Sequence, residues 1–304
     1  MLRPKIACIG EVMIELSQMN LSDGIAHVGF AGDTFNTAVY LARLGQDVSY
    51  VTNLGRDAFS ERILAVLAEE SIDCSLVGRH DARLPGIYSI ETDAQGERSF
   101  HYWRDRSAAR TLFTGTGPTL AHLKCFDVIY LSGITLAILP VEVRMGLIST
   151  AATLKAAGKR VVFDTNFRPR LWDNEETART AFAAMWGAAS IALPSHDDEE
   201  RLYPGQLPQA VIDRIAALGP VEVVLKIGAQ GALVHANGVT VQTALPLADK
   251  VIDTSGAGDS FNAGYLVARL EGHLPLAAAE AGHKLAATVI GHHGAVISRD
   301  AMPA

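Results

Sequence analysis

Apolar residues fall in short continuous runs that alternate with segments of helical period. Lys5–Gly10 (KIACIG), Val48–Gly55 (VSYVTNLG), Asp127–Gly133 (DVIYLSG), Arg160–Asn166 (RVVFDTN) and Val221–Gly228 (VEVVLKIG) are largely apolar and stop at a glycine or a polar turn. Such runs predict strands buried on both faces. Asn36–Gly45 closes on a glycine and predicts a helix. Asp57–Glu70 places Phe59, Ile63, Val66 and Leu67 on one helical face, and Val141–Ala157 reads as a further helix. This β-α-β alternation predicts an α/β fold, a mostly parallel sheet with helices on both faces.

Two stretches break the alternation. Glu11–Phe30 and Leu84–Arg106 look antiparallel, and Gly86–Arg104 is two β-rich runs around a polar turn at Asp93–Glu97. They predict a small β-sheet inserted at one end of the larger unit. No internal repeat, low-complexity tract or Pro-rich linker divides the chain. The expectation is one domain over 1–304, with a β-lid from about 11–30 and 84–106. The final AMPA reads as a short tail.

Composition narrows the function classes. Of 304 residues, 49% are hydrophobic, so a sizeable core is available. Charged residues are 19% and the net charge is −7, which argues against nucleic acid as a partner. No apolar run approaches the roughly 20 residues of a membrane span. Glu11 interrupts the N-terminal run, so no leader is expected. Cys8, Cys74 and Cys125 form no CxxC pair; Cys8 and Cys125 lie in or beside apolar runs and are expected to be buried thiols. A sparse, odd cysteine count suits a reducing cytoplasm.

The chemistry concentrates in Ile252–Leu266, IDTSGAGDSFNAGYL. Gly256-Ala257-Gly258 precedes Asp259 and then a helical run. Glycines before a helix let backbone N–H groups converge on an anion, aided by the helix dipole. An acid beside such a cradle repels a phosphate, so it is of little use for affinity. It suits a general base that takes a proton from a hydroxyl while the N–H groups hold the transferred phosphoryl. A helix start with a stabilising acid is the plainer alternative. The loop lacks the GxxxxGK[ST] of a P-loop. His292-His293 invite a metal reading, but neighbours on a strand face opposite ways and no third ligand is evident.

Asp253–Leu266 resembles the C-terminal motif of the ribokinase-like (PfkB) carbohydrate kinases, and Asn36, Ala38, Gly45 and Gly55 fall at the spacing of that family's upstream motif. The likeness covers nearly the whole chain. Ile9–Ser17, Gly32–Gly45, Leu84–Arg104, Tyr130–Pro140 and Phe163–Trp172 are most similar to the branch that phosphorylates 2-keto-3-deoxygluconate. Ala31 departs from the commoner glycine of the GGxxxN motif. The resemblance implies a three-layer α/β/α sandwich with a small β-lid. It also implies ATP with Mg²⁺, a small sugar acid as substrate, and no nucleic-acid or membrane partner.

On this resemblance Gly32, Asp33, Asn36, Tyr88, Tyr102, Arg104, Arg168 and Asp259 are substrate-contacting positions. The residues themselves agree with a ketodeoxy acid. Its carboxylate needs a cation, which Arg104, Arg106 or Arg168 could supply, and its hydroxyls need Asp33, Asn36 or the tyrosines. Tyr102 and Arg104 are two apart and share a strand face. Arg106 lies off the matched motif. Gly256, Ala257 and Gly258 would form the anion hole.

The ATP side would take Asn166, Ser195, Lys226, Gly228, Gly231, Gly256 and Gly258, with KIGAQG (Lys226–Gly231) as a KxGxxG loop that also fits a plain tight turn. Ser195-His196-Asp197-Asp198 stands where many relatives have NxxE; Asp198 remains a candidate for organising Mg²⁺. A kinase for a neutral sugar and an inactive sugar-binding relative are the alternatives. The β-lid is a candidate surface for a homo-oligomer.

Overall fold

The computed structural model describes residues 3–20, 22–92, 98–115, 117–243 and 250–303. Its strands are β1 (Lys5–Ile9), β2 (Met13–Asn20), β3 (Ile25–Ala31), β4 (Asp47–Leu54), β5 (Val77–Arg79), β6 (Ile87–Thr92), β7 (Arg98–Trp103), β8 (Val128–Ser132), β9 (Arg160–Asp164), β10 (Ile191–Leu193), β11 (Glu222–Lys226), β12 (Ala232–Ala236) and β13 (Val239–Gln242). Its helices are α1 (Asp33–Arg43), α2 (Ala58–Glu69), α3 (Gly133–Ile138), α4 (Val141–Ala156), α5 (Glu175–Ala188), α6 (His196–Leu202), α7 (Pro208–Ala216), α8 (Ala257–Leu270) and α9 (Pro275–Val289).

Nine strands form the large sheet in the order β13-β12-β11-β10-β9-β8-β1-β4-β5. From β11 to β5 every neighbouring pair is parallel; β12 and β13 add an antiparallel edge. Alternate residues of each strand feed opposite faces, which is why the strands read as unbroken apolar runs. Ala7, Ile9, Ile129, Leu131, Val161 and Phe163 join a core closed by α4, α5 and α7. Ile6, Cys8, Val128, Tyr130 and Val162 join a second core closed by α1, α2, α8 and α9. The three layers follow from that division.

After β1 the chain builds rightward to β4 and β5, then returns to β8 and builds leftward. The crevice outside the carboxyl ends of β1 and β8 is therefore a topological switch point, the usual ligand position in open α/β sheets.

The smaller sheet has the order β3-β2-β6-β7. Its two halves are antiparallel pairs, as the sequence suggests, but β2 and β6 join them in parallel, with Ile14 opposite Ile87. The expected turn at Asp93–Glu97 lies outside the described residues, as does the last residue of the tail.

Two expectations are corrected. Cys8 is buried, but Cys125 is exposed, because it ends a surface 3₁₀ turn (Leu120–Cys125) rather than starting strand β8. His292 and His293 lie not on a strand but in the exposed turn that follows α9. Among the described residues no group of three or more His, Cys, Asp or Glu side chains is arranged to hold a metal.

Candidate active site

The loop before α8 brings Asp259 to the switch point. Gly256 caps α8 with φ of 72°, a left-handed conformation, and a Cβ there would run into the Ala295 carbonyl. Only glycine meets both demands. The Ala257 N–H turns back to the Thr254 carbonyl at 3.3 Å, whereas those of Gly258 and Asp259 find no backbone acceptor among the described residues.

α1 packs against α8 and supplies the partner for Asp259. Asn36 Nδ2 donates to Asp259 Oδ2 at 2.8 Å. The Thr37 hydroxyl, one residue on, donates to the Asp259 carbonyl at 3.2 Å. α1 starts at Gly32, where a Cβ would strike the Glu11 carbonyl, so the link between β1 and β2 and the start of α1 lie in contact. Asp33 is buried in the first turn; Asn166 Nδ2 donates to its Oδ2 at 2.8 Å. Asn166, expected beside ATP, thus has its amide on Asp33, expected beside the sugar, and it holds a positive φ of 32°. Such strain gathers at functional sites.

Burial pushes the Asp259 carboxyl up to about 8, and the nearby charges of Asp33 and Asp164 add to it against the Asn36 hydrogen bond and Lys226. Asp33 is raised too, again chiefly by burial. Burial, with repulsion from the neighbouring acids added to it, thus favours the protonated form of the Asp259 carboxyl.

Lys226 is the cation at hand. It leaves β11 just before the KIGAQG turn, and its Nζ binds Asp164 Oδ1 and Asn262 Oδ1, each at 2.9 Å. Asn262 Nδ2 donates in turn to Asp164 Oδ2 and the Tyr130 hydroxyl, each at 2.9 Å. A Cβ on Gly258 would stand 3.9 Å from Lys226 Nζ, so the ammonium flanks the cradle. The sequence singled out Lys226 but not Asp164, Asn262 or Tyr130. A polar residue inside an apolar strand (Tyr130, Asp164) or helix (Asn262) was the only available signal.

Gly228 and Gly231 bound a short turn between β11 and β12, closed by Ile227 N–H to the Gly231 carbonyl at 2.8 Å. Ser195 caps α6, its hydroxyl accepting from Asp198 N–H at 3.3 Å. Asp198 Oδ1 faces Arg168 at 3.6 Å and Arg201 at 3.7 Å. Burial raises its carboxyl, and Arg168 opposes that. With two arginines on one oxygen, Asp198 is a poor lone anchor for a metal.

The expected carboxylate partners differ in kind. Arg104 is buried and grips Glu11, with Nε and Nη2 both on Glu11 Oε2. Glu11 Oε1 is buried without a hydrogen bond. Arg168, by contrast, has a side chain 45% exposed at the crevice rim. The Tyr88 hydroxyl donates to Glu15, another acid that sequence reasoning passed over. Tyr88 and Tyr102 stack with centroids 5.7 Å apart, and the Arg104 guanidinium carbon lies 6.0 Å from the Tyr102 centroid. Strand alternation did place Tyr102 and Arg104 on one side. The structure thus gathers Gly32, Asp33, Asn36, Asn166 and Asp259 into one contact network, with Lys226 beside it. Tyr88, Tyr102 and Arg104 form a second group on the smaller sheet, and Arg168, Ser195 and Asp198 a third.

The family described as pfkB family carbohydrate kinase matches residues 3–302. A 2-dehydro-3-deoxygluconokinase of Dickeya dadantii (strain 3937) is 46% identical over 310 residues, covering 98% of each chain. One of Escherichia coli (strain K12) is 45% identical over 309 residues, covering 99% of each. Among solved structures, a PfkB protein from Polaromonas sp. JS666 superposes with a TM-score of 0.84 at 28% identity, covering 99% of each chain.

Proposed function

The chain belongs to the pfkB family of carbohydrate kinases, and from that premise we propose how it acts. It phosphorylates 2-dehydro-3-deoxygluconate, also called 2-keto-3-deoxygluconate, with ATP; relatives named for that activity match it at 45–46% identity end to end. Asp259 takes the proton of the terminal hydroxyl. The freed oxygen attacks the γ-phosphorus, the bond to the β-phosphate oxygen breaks, and ADP leaves with that electron pair. The products are the 6-phosphorylated acid, ADP and a proton on Asp259.

The observation that carries this reading is the placement of Asp259. Its carboxyl is held by Asn36 at 2.8 Å in the first turn of a helix where the Gly258 and Asp259 N–H groups have no backbone acceptor among the described residues. The Gly256–Asp259 backbone binds the equatorial oxygens of the transferred group, and Lys226 adds charge beside them. Mg²⁺ bound with ATP would offset the charge of its phosphates, and Asp198, paired with Arg168 and Arg201, would reach it only through water.

Gly32, Asp33, Asn36, Tyr88, Tyr102, Arg104 and Arg168 hold the sugar acid, and Arg168, half-exposed and only loosely paired with Asp198 at 3.6 Å, is the cation for its carboxylate. Asn166, Ser195, Lys226, Gly228 and Gly231 border ATP. The smaller sheet serves as the lid, and its exposed Ile25, Val28 and Trp103 form the surface on which two copies pair. A cytoplasmic setting suits the ATP requirement and the free cysteines. A coupled assay of ADP release over sugar acids and neutral sugars tests the substrate. Turnover confined to the ketodeoxy acid is expected; preference for fructose or ribose would overturn it.

A further inference from the structure

A cavity of about 460 Å³ is lined by the segment from α3 to α4, the turn at 171–173 and the loops around Arg83 and 105–114. None of the residues assigned above to sugar, ATP or metal lines it. Arg83, just before β6, and Asp105, just after β7, both do, so the two ends of one hairpin root in its wall. Arg110, Arg144, Trp172 and Asp173 complete the charged and aromatic lining.

Arg144 is fixed in place. Its Nε donates to the Leu136 carbonyl at 2.7 Å and its Nη2 to the Leu139 carbonyl at 3.3 Å. Its guanidinium carbon lies 4.6 Å from the Trp172 ring centroid. Burial holds this guanidinium below the usual arginine range; Asp173 opposes that and the Arg110 charge adds to it. Arg83 and Arg110 have no side-chain hydrogen bond or ion pair among the described residues. Trp172 is only 8% exposed, and its indole N–H is a buried donor with no acceptor.

The lining carries three guanidinium groups against two carboxylates, Asp105 and Asp173, a positive excess that favours an anionic ligand. Their planar forks match phosphate and carboxylate oxygens two at a time. Asp105 and Asp173 add acceptors suited to hydroxyl groups. The volume falls within the range of small-molecule sites, roughly 300–1,000 Å³, and exceeds what a bare phosphate fills.

We propose that this cavity is a second ligand site, which takes a small phosphorylated sugar acid between Arg83, Arg110 and Arg144. The site is separate from the reaction centre and does not compete with ATP.

The test is isothermal titration of the full chain with 6-phosphogluconate and, separately, orthophosphate. Both are run with a non-hydrolysable ATP analogue and 2-keto-3-deoxygluconate at saturation, so that the reaction centre is filled. Saturable binding of 6-phosphogluconate is expected to persist. Arg83→Gln and Arg110→Gln, at partly exposed positions, should each weaken it about tenfold or more with melting temperature unchanged. No saturable binding under these conditions, or full affinity in both variants, overturns the site. Orthophosphate binding as tightly as 6-phosphogluconate overturns the assignment to a sugar acid.

Discussion

Asn36 and Asp259 stand 223 positions apart in the chain, and their side chains meet at 2.8 Å. The contact joins the first turns of α1 and α8 across the switch point. It fixes one carboxylate oxygen of Asp259 and leaves the other for substrate.

Replacing that carboxylate by an amide tests its role. In Asp259→Asn, turnover should fall by roughly 10²–10⁴, the usual contribution of a positioned base. Nucleotide affinity should stay within a few-fold, because the cradle is backbone. Steady-state ADP release and nucleotide titration check both; near-normal turnover in a folded variant would remove Asp259 from the mechanism.

The pH profile follows from the same group. Asp259 must be ionised to act, and burial places its titration near 8 in the free enzyme. The value of kcat/KM should therefore rise about tenfold per pH unit below that point and level above it. Bound MgATP carries a net negative charge, so the limb in kcat should lie at higher pH than the limb in kcat/KM. Lys226→Met removes the only cation that lowers this group among its named neighbours, and should move the kcat/KM limb upward. A profile flat from pH 6 to 9 would contradict the assignment.

Stability should carry the opposite sign. Asp259 has an ordinary value of 3.8 and a folded value of about 8, so the folded state holds its proton more tightly. Its stabilising contribution is full below about 3.8 and is lost as pH rises through about 8. Asp259→Asn does not titrate. Its melting temperature should gain on the parent protein from pH 5 to pH 9, and a constant difference in calorimetry would show that the carboxyl is not raised.

The two arginines should separate cleanly. Arg168→Ala, at a half-exposed position, should raise KM for the sugar acid about tenfold and leave KM for ATP alone. Arg104→Ala strands the buried Glu11 and should cost about 3–5 kcal/mol of stability. Adding Glu11→Gln should recover part of that loss in denaturant titration. Equal stability of the single and double variants would mean that Arg104 and Glu11 act independently.

Much of this architecture is readable from residue order. Period and glycine punctuation mark Lys5–Gly10 and Arg160–Asn166 as strands because both faces of each are buried, which leaves no alternation to misread. The motif around Asp259 identifies the helix start and its acid. What escapes is pairing over long separations. Nothing local in IGEVM says that Glu11 will neutralise Arg104, and the same holds for Glu15 with Tyr88. Asp164 and Asn262 look like interruptions of apolar segments until Lys226 is seen between them. The Cys125 thiol misled because apolar neighbours in sequence do not fix the side of a 3₁₀ turn.

Helix α8 both carries Asp259 at its start and fills the second core with Phe261, Tyr265 and Leu266 further on. During translation it is among the last pieces to leave the ribosome, long after Asp33 and Asn36. A chain cut short before it lacks the base and also leaves uncovered the part of the second core that α8 and α9 close. Loss of catalysis and loss of folding then coincide, so truncation yields material for proteolysis and no stable sugar-binding protein without a base to compete for substrate.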